Sequence, residues 1–357
     1  MAPVIECFRN HKEIELRVCV TAQHREMLDQ VLKIFEIKPD YDLNLMRPNQ
    51  TLNGITSDII LKLPTVIEHF QPKYVVVHGD TTTTFAAALA SFYAKVDVVH
   101  IEAGLRTQNI LSPWPEELNR RLTSEIANIH FAPTEEARNN LLLENISPEK
   151  IIVTGNTVID ALLSVIKKID NDQKLKNKLC DELKIDLQQK ILLVTGHRRE
   201  NFGTGILNIC KALDELSVKF PDLNIIYPVH LNPKIKEPVN KLLANKKNIR
   251  LLEPLDYLPF VNLLSMAHIV LTDSGGLQEE APALGKPVLV MRDTTERPEA
   301  ITAGTAKLVG TDPHKIVSEV SLLLKNPSYY QSMSEKENPY GKGDASEKIL
   351  QTLISLF

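Results

Sequence analysis

Short apolar runs alternate with amphipathic helical stretches along almost the whole chain, and one polar stretch interrupts the pattern. Runs of this kind read as buried parallel strands, each followed by a helix that crosses back over the sheet. In the first half the expected strands are Leu16–Val20, Tyr74–Val77, Val98–Ile101, Ile129–Ala132 and Ile151–Val153. Glu26–Phe35, Thr56–His69 and Thr83–Tyr93 are expected helices between them. Lys167–Gln189 is rich in Lys and Asp, with Leu175, Leu179 and Leu183 at helical spacing, and reads as part exposed helix, part linker. The pattern then restarts with strands Ile191–Val194, Asn224–Pro228, Ile249–Leu251, Ile269–Leu271 and Pro287–Val290 and helices Ile206–Phe220, Leu258–Met266 and Leu277–Leu284. The expected class is α/β: two doubly wound, Rossmann-like domains, at 1–168 and 169–342, facing a cleft. The amphipathic ending within 343–357 is expected to cross back to the first domain.

The 357 residues suffice for two such cores. Apolar content of 43% with 24% charged residues argues against extended disorder. A formal net charge of −4 gives no reason to expect nucleic acid or a membrane as partner. No apolar run approaches the ~18 residues that span a bilayer, and no signal-peptide pattern opens the chain. Cys7, Cys19, Cys180 and Cys210 lie far apart without CxxC spacing, as expected of buried thiols in a reducing cytoplasm. The ten histidines form no HExxH-type cluster, so neither metal nor other cofactor is expected.

The motifs that carry chemistry follow the strands. After Ile269–Leu271 comes Asp273-Ser274-Gly275-Gly276, then a helix carrying Glu279 and Glu280. Glycines let a backbone turn approach a ligand closely, and the N–H groups that open a helix favour an anion. A carboxylate one turn further in accepts from sugar hydroxyls, so the pair suits a sugar nucleotide; the bland alternative is a strand–turn–helix corner with a solvated acidic face. In the first half, Asp80 and Glu102 end strands and Glu116 enters a helix after Pro113 and Pro115. Carboxylates at successive strand ends can converge, where desolvation and repulsion raise and separate their pKa values. Spacing alone favours helix capping for Asp80, and the helix dipole explains Glu116 equally well. Glu102 has the weakest structural explanation. Gly196-His197-Arg198-Arg199 could form an anion pocket if cationic side chains and turn amides point the same way, or could be a basic surface turn. Arg297 reads as a phosphate ligand or a local ion pair, Phe260 as core or stacking platform, and His230 as lining the cleft.

Seven segments together carry a family resemblance: TAQHREMLDQVL from Thr21, VHGDTTTT from Val77, HIEAGLRT from His100, SPWPEELNRRLT from Ser112, TGNTVIDAL from Thr154, VTGHRREN from Val194 and DSGGLQEEAPALGKPVLVMRDTTERPEA from Asp273. In this order and composition the chain resembles the non-hydrolysing UDP-N-acetylglucosamine 2-epimerases. The resemblance implies a GT-B-like fold, a homodimer and a UDP-sugar substrate. It implies catalytic roles for Asp80, Glu102, Glu116 and His197. Ser274, Gly275, Gly276 and Arg297 would then hold the diphosphate, Glu280 the ribose and Phe260 the uracil. Gln23, His24 and Arg25 match a region where some members hold a second, activating UDP-sugar, although Glu26 stands where a Gln often follows. Members usually open with an inner strand and a GTRPEAIK-type loop ahead of the MAPV at residues 1–4, so this sequence is expected to turn over poorly and to gain activity from that segment. Rival readings are a GT-B glycosyltransferase, a hydrolysing epimerase that releases free N-acetylmannosamine, and a non-catalytic UDP-binding chain.

Overall fold

The computed structural model describes residues 1–22, 25–47, 50–183 and 189–356. The chain divides into two compact units, Met1–Ala161 with Tyr340–Phe357, and Leu162–Pro339. In chain order the first half holds α1 (Ala2–Arg9), β1 (Cys19–Val20), α2 (Arg25–Ile34), β2 (Tyr41–Asp42), α3 (Leu52–Phe70), β3 (Tyr74–His78), α4 (Thr82–Tyr93), β4 (Asp97–Ile101), α5 (Glu116–Ile126), β5 (Ile129–Ala132), α6 (Glu135–Leu143), β6 (Ile151–Val153) and α7 (Thr157–Asn171). The second half holds α8 (Gln173–Leu183), β7 (Ile191–Thr195), α9 (Thr204–Lys219), β8 (Asn224–Pro228), α10 (Pro233–Leu243), β9 (Ile249–Leu252), α11 (Tyr257–Met266), β10 (Ile269–Thr272), α12 (Gly275–Ala283), β11 (Val288–Val290), α13 (Pro298–Ala303), β12 (Ala306–Leu308), α14 (Pro313–Lys325), α15 (Pro327–Ser334) and α16 (Ala345–Ser355).

The second unit carries one six-stranded parallel sheet in the order β12-β11-β10-β7-β8-β9. Counted within the unit, this is the doubly wound order 3-2-1-4-5-6, whose ligand sites lie beyond the carboxyl ends of the strands. Strands β7 and β10 lie side by side at the centre, with helices on both faces. Every residue of β10 is therefore buried, and the strand reads as an unbroken apolar run with Thr272 at its end. Leu192, Val194, Ile209, Leu213, Tyr227 and Leu271 belong to its main core. Within the stretch expected to be part linker, Lys167–Asn171 ends α7 and Gln173–Leu183 forms α8, where Leu179 and Leu183 are buried as the helix packs on α11. Arg250 Nη1 donates to Leu183 O at 2.9 Å and ties down its end.

The first unit has a four-stranded parallel sheet, β3-β4-β5-β6, and a separate parallel pair, β1-β2. An apolar slot of about 400 Å³ lies between them, lined by Leu16–Cys19 on one side and Tyr74–Val76 on the other. Phe8 of α1 packs with α16 residues Ile349 and Leu353 in one core cluster, while α3 residues Ile59, Leu63 and Ile67 form another. Strand β1 is shorter than the expected Leu16–Val20 because its ladder with β2 covers only Cys19 and Val20, and hydrogen-bonded ladders rather than apolar composition define strand length. In the second unit, the place next to the second strand of the unit is filled by β7.

Candidate active-site residues

Two of the acidic residues singled out in the sequence meet at neighbouring strand ends. Strands β3 and β4 pair up to His78 and Ile101, so Asp80 and Glu102 follow adjacent carboxyl ends. Glu102 adopts φ +62°, a left-handed conformation that an L-residue with a side chain reaches only at a cost. Its Oε2 would lie 3.2 Å from a Cβ at Gly79, itself at φ +68°, so the carboxylate is folded against the turn that carries Asp80. Asn156 Nδ2 donates to Glu102 Oε1 at 3.2 Å, and His78 Nε2 lies 3.7 Å from Oε2. Burial holds His78 well below the usual imidazole range, so this neighbour is neutral and no ion pair forms. His100 Nε2 and the Gly79 carbonyl are 2.8 Å apart beneath the turn.

Capping of α4 falls to Thr81, whose hydroxyl accepts from Thr84 N–H at 3.2 Å, and not to Asp80 as spacing alone favours. Thr81 is one residue nearer the helix and has the same acceptor chemistry. Asp80 is thereby left to Arg120, whose Nη2 lies 2.8 Å from Oδ2, while Asn119 Nδ2 donates to its carbonyl at 2.9 Å. Arg120 also donates to Glu117 at 3.1 Å. Glu117 has no exposed surface; burial raises its pKa, but the Thr107 N–H and the Arg120 and Arg121 guanidiniums outweigh that and hold it below the usual range. Glu116 opens α5 after cis peptides at Ser112–Pro113 and Trp114–Pro115. Positions three and four further along a helix share a face, which places Glu116 on the side of Asn119 and Arg120 that reaches Asp80. The sequence reading missed Asn119, Arg120 and Asn156. ELNRR carries no spacing signal for an ion pair to a residue forty positions earlier.

In the second unit, His197, Ser274, Gly275 and Gly276 follow the adjacent strands β7 and β10. Asp273, fully buried, accepts from His197 N–H at 3.0 Å and Arg198 N–H at 2.9 Å. These turn amides therefore face an internal carboxylate and do not join the cationic side chains in an anion pocket. His230 stacks beside His197 with ring centres 6.1 Å apart. Ser274 caps α12 without a side-chain bond, leaving the first-turn N–H groups of Gly275 and Gly276 facing outward along the helix axis. A Cβ at Gly275 would lie 2.6 Å from Glu296 Oε1, so a side chain there would have to push the Glu296 carboxylate aside. Glu296 bridges Arg198, at 3.0 Å, and Arg292. A carboxylate of the protein itself thus rests against the positive end of α12.

Glu280 lies over the same helix start, its Oε2 3.9 Å from a Cβ at Gly276. Burial, with the Glu279 charge adding to it, raises its pKa to about 7. Tyr257, at the start of α11, is near enough for the Glu280 charge to join burial in raising its own pKa. Phe260, one turn along α11, is half-buried. Arg297 makes an ion pair with Glu279, whose side chain is 4% exposed, so the local ion pair weighed from the sequence forms. Gln23 and His24 lie outside the described residues; Arg25 beside them pairs with Asp42 at 2.7 Å.

Acidic residues at parallel strand ends in one α/β unit, and a Gly-Gly helix start beside the buried carboxyl of Glu280 in the other, suit the nucleotide-sugar class of two-domain α/β proteins. The family profile described as UDP-N-acetylglucosamine 2-epimerase matches residues 6–354, and the chain belongs to that family. It is 56% identical over 354 residues to the UDP-N-acetylglucosamine 2-epimerase of Escherichia coli K12, covering 99% of this chain and 94% of that one. The crystal structure of the Neisseria meningitidis UDP-GlcNAc 2-epimerase, bound to UDP-GlcNAc, is similar at 56% identity and TM-score 0.89, covering 99% of this chain and 96% of that one. The Methanocaldococcus jannaschii enzyme in complex with UDP-GlcNAc and UDP is similar at 34% identity and TM-score 0.78, covering 99% and 95%. The fold is GT-B-like, and the relatives favour the epimerase reading over the glycosyltransferase one.

Proposed function

We propose that this chain inverts C2 of UDP-N-acetylglucosamine to give UDP-N-acetylmannosamine, reversibly and without releasing free sugar. The C2 hydrogen is not next to a carbonyl, so direct removal is too difficult. Breaking the C1–O bond sends its electron pair to UDP and builds positive charge at C1, which acidifies C2–H. A carboxylate takes that proton and a C1=C2 double bond forms, leaving a 2-acetamidoglucal. A proton then returns to C2 on the opposite face, UDP oxygen adds to C1, and atoms and charge balance. General acid–base groups on both faces and a firm grip on the departing diphosphate are what this route requires. Asp80, Glu102 and Glu116 are assigned the proton transfers. His197, Ser274, Gly275, Gly276 and Arg297 are assigned the diphosphate, Glu280 the ribose and Phe260 the uracil. Glu102 carries the reading, because a carboxylate held at a left-handed strand end, at φ +62°, stands next to the Asp80 turn.

The test is solvent-deuterium incorporation at C2. Asp80→Asn, Glu102→Gln and Glu116→Gln should each lower turnover by roughly 10²–10⁴-fold while UDP still binds. Wild-type exchange in all three variants would remove these groups from the proton transfer. We further assign a homodimer. Leu61 of α3, Phe92 and Tyr93 of α4, and Leu118 and Leu122 of α5 are exposed on helices that pack in that order, and a second copy would cover them. Light scattering on Phe92→Glu should report a monomer. Among the described residues no helix is long and apolar enough to cross a membrane, and four unpaired cysteines suit the reducing cytoplasm.

A further inference from the structure

Asp273 ends β10 with no exposed surface, and its carboxylate gathers donors from the loop after β7. His197 N–H lies 3.1 Å from Oδ1 and 3.0 Å from Oδ2, and Arg198 N–H lies 2.9 Å from Oδ2. Asn201 Nδ2 donates to Oδ2 at 3.1 Å and also to the Met291 carbonyl at 3.2 Å, tying the loop to the end of β11. A Cβ at Gly196 would meet Tyr227 Oη at 3.0 Å, so the loop has little room to shift. The remaining contact differs in kind: His197 Nδ1 lies 3.2 Å from Asp273 Oδ1. Burial raises the Asp273 pKa, but the His197 side chain and the His197 and Arg198 N–H groups outweigh it, so the carboxylate stays ionised. An ionised carboxylate only accepts and repels a ring lone pair this close, so proximity favours the proton of a neutral His197 on Nδ1.

We infer that Asp273 is a positioning residue that holds the Nδ1–H of His197 and leaves Nε2 as the ring atom that, once the ring takes up a second proton, donates to the departing diphosphate. The inference rests on the reading of His197 given above. Its alternative is that Asp273 only caps the loop amides, in which case the ring tautomer is indifferent to it. The other charged or titratable groups at the ring are Arg198, which is paired with Glu296, and His230, whose Nδ1 accepts from Asn232 N–H at 3.1 Å. Neither contact supplies an acceptor to His197 Nδ1, so among these described groups the carboxylate sets the preference.

Two-dimensional ¹H–¹⁵N spectra of the full chain labelled at histidine distinguish the cases, with the His197 signals identified by their loss in His197→Asn. In the neutral ring, Nδ1 should carry the proton and Nε2 should show the shift of an unprotonated nitrogen. Asp273→Asn should give a mixed or reversed tautomer and lower kcat by about 10²–10⁴-fold, the range for a misplaced catalytic tautomer. UDP affinity, read by calorimetry, should change by less than about threefold, below the tenfold that 1.4 kcal/mol represents. A wild-type His197 protonated on Nε2 overturns the inference, and so does an Asp273→Asn protein that keeps both the Nδ1–H signature and wild-type kcat. The wild-type spectrum decides alone if Asp273→Asn does not fold. A correct tautomer together with normal epimerisation by His197→Asn would instead defeat the assigned role of His197 while leaving the Asp273 contact intact.

Discussion

Glu280→Gln separates what the folded chain tolerates from what its ligand demands. In the folded protein burial and the Glu279 charge raise the Glu280 pKa from 4.5 to about 7. The sign follows from proton linkage. Below pH 4.5 the carboxyl is protonated both folded and unfolded and contributes nothing. Between pH 4.5 and 7 the unfolded chain releases the proton while the folded chain keeps it, so stability falls as pH rises. Above about pH 7 the loss is complete. At about 1.4 kcal/mol for each pH unit the ceiling is about 3 kcal/mol, and the partial exposure of Glu280 lowers it to about 2 kcal/mol. Glutamine has no charge to desolvate. For a unit of this size, roughly 2–4 °C per kcal/mol translates into a Tm advantage of about 4–8 °C for Glu280→Gln at pH 8, vanishing at pH 4.5.

UDP binding should move the other way. A carboxylate accepting from ribose hydroxyls contributes about 1–2 kcal/mol more than a neutral amide, so Glu280→Gln should bind UDP roughly 5–30-fold more weakly at pH 8. Wild-type affinity should also decline below pH 7, where a proton must leave before the hydroxyls can be accepted. Differential scanning fluorimetry from pH 4.5 to 8.5, with UDP calorimetry at both ends, reads every arm. A Tm difference that does not change with pH would refute the desolvation argument. Unchanged UDP affinity would refute the ribose assignment.

Glu117→Gln removes the buried charge that Arg120 and Arg121 share, and should cost about 3 kcal/mol in urea unfolding, as breaking a buried pair does; a cost under about 0.5 kcal/mol would make the network incidental. Arg297→Ala should weaken UDP by about 1.5–3 kcal/mol, and equal calorimetric affinities would dismiss it as a ligand. The same change takes the guanidinium away from the buried Glu279 charge, so adding Glu279→Gln should recover part of the Tm without recovering UDP affinity. An apolar strand introduced between β1 and β3 would cover both facing edges and bury two or three side chains at about 1.5–3 kcal/mol each before entropy is subtracted. Extending the chain by such a segment should raise Tm, and no rise would mean that the slot does not take a strand.

Elements whose limits depend on local composition were legible in advance. Strands β5 and β8 occupy Ile129–Ala132 and Asn224–Pro228 as expected, because a buried apolar run flanked by polar residues marks its own ends. Strand β1 did not, since its length depends on a neighbouring edge that composition does not encode. Leucine spacing revealed α8 as a helix, but the packing partner that makes it part of the fold is α11, some eighty residues away. For Asp80, the capping alternative that spacing alone favours fails for a local reason: Thr81 offers an equal cap one position nearer the helix.

Charge at the candidate diphosphate site shows the deeper limit. Residue by residue, Arg198, Arg292 and Arg297 look like cations awaiting phosphate. In the fold, Arg198 and Arg292 share Glu296, Arg292 also meets Glu200, and Arg297 meets Glu279. The turn amides beside them are turned toward Asp273. A carboxylate held between two guanidiniums keeps both side chains extended and ordered, so their conformational entropy is already lost before a ligand arrives. The glycine that admits Glu296 would admit a phosphate oxygen by the same absence of Cβ. The motif is therefore readable as a candidate anion site from the sequence, whereas the acidic residue of the chain itself that rests against it emerges only when the loop from Arg292 to Arg297 is folded back over α12.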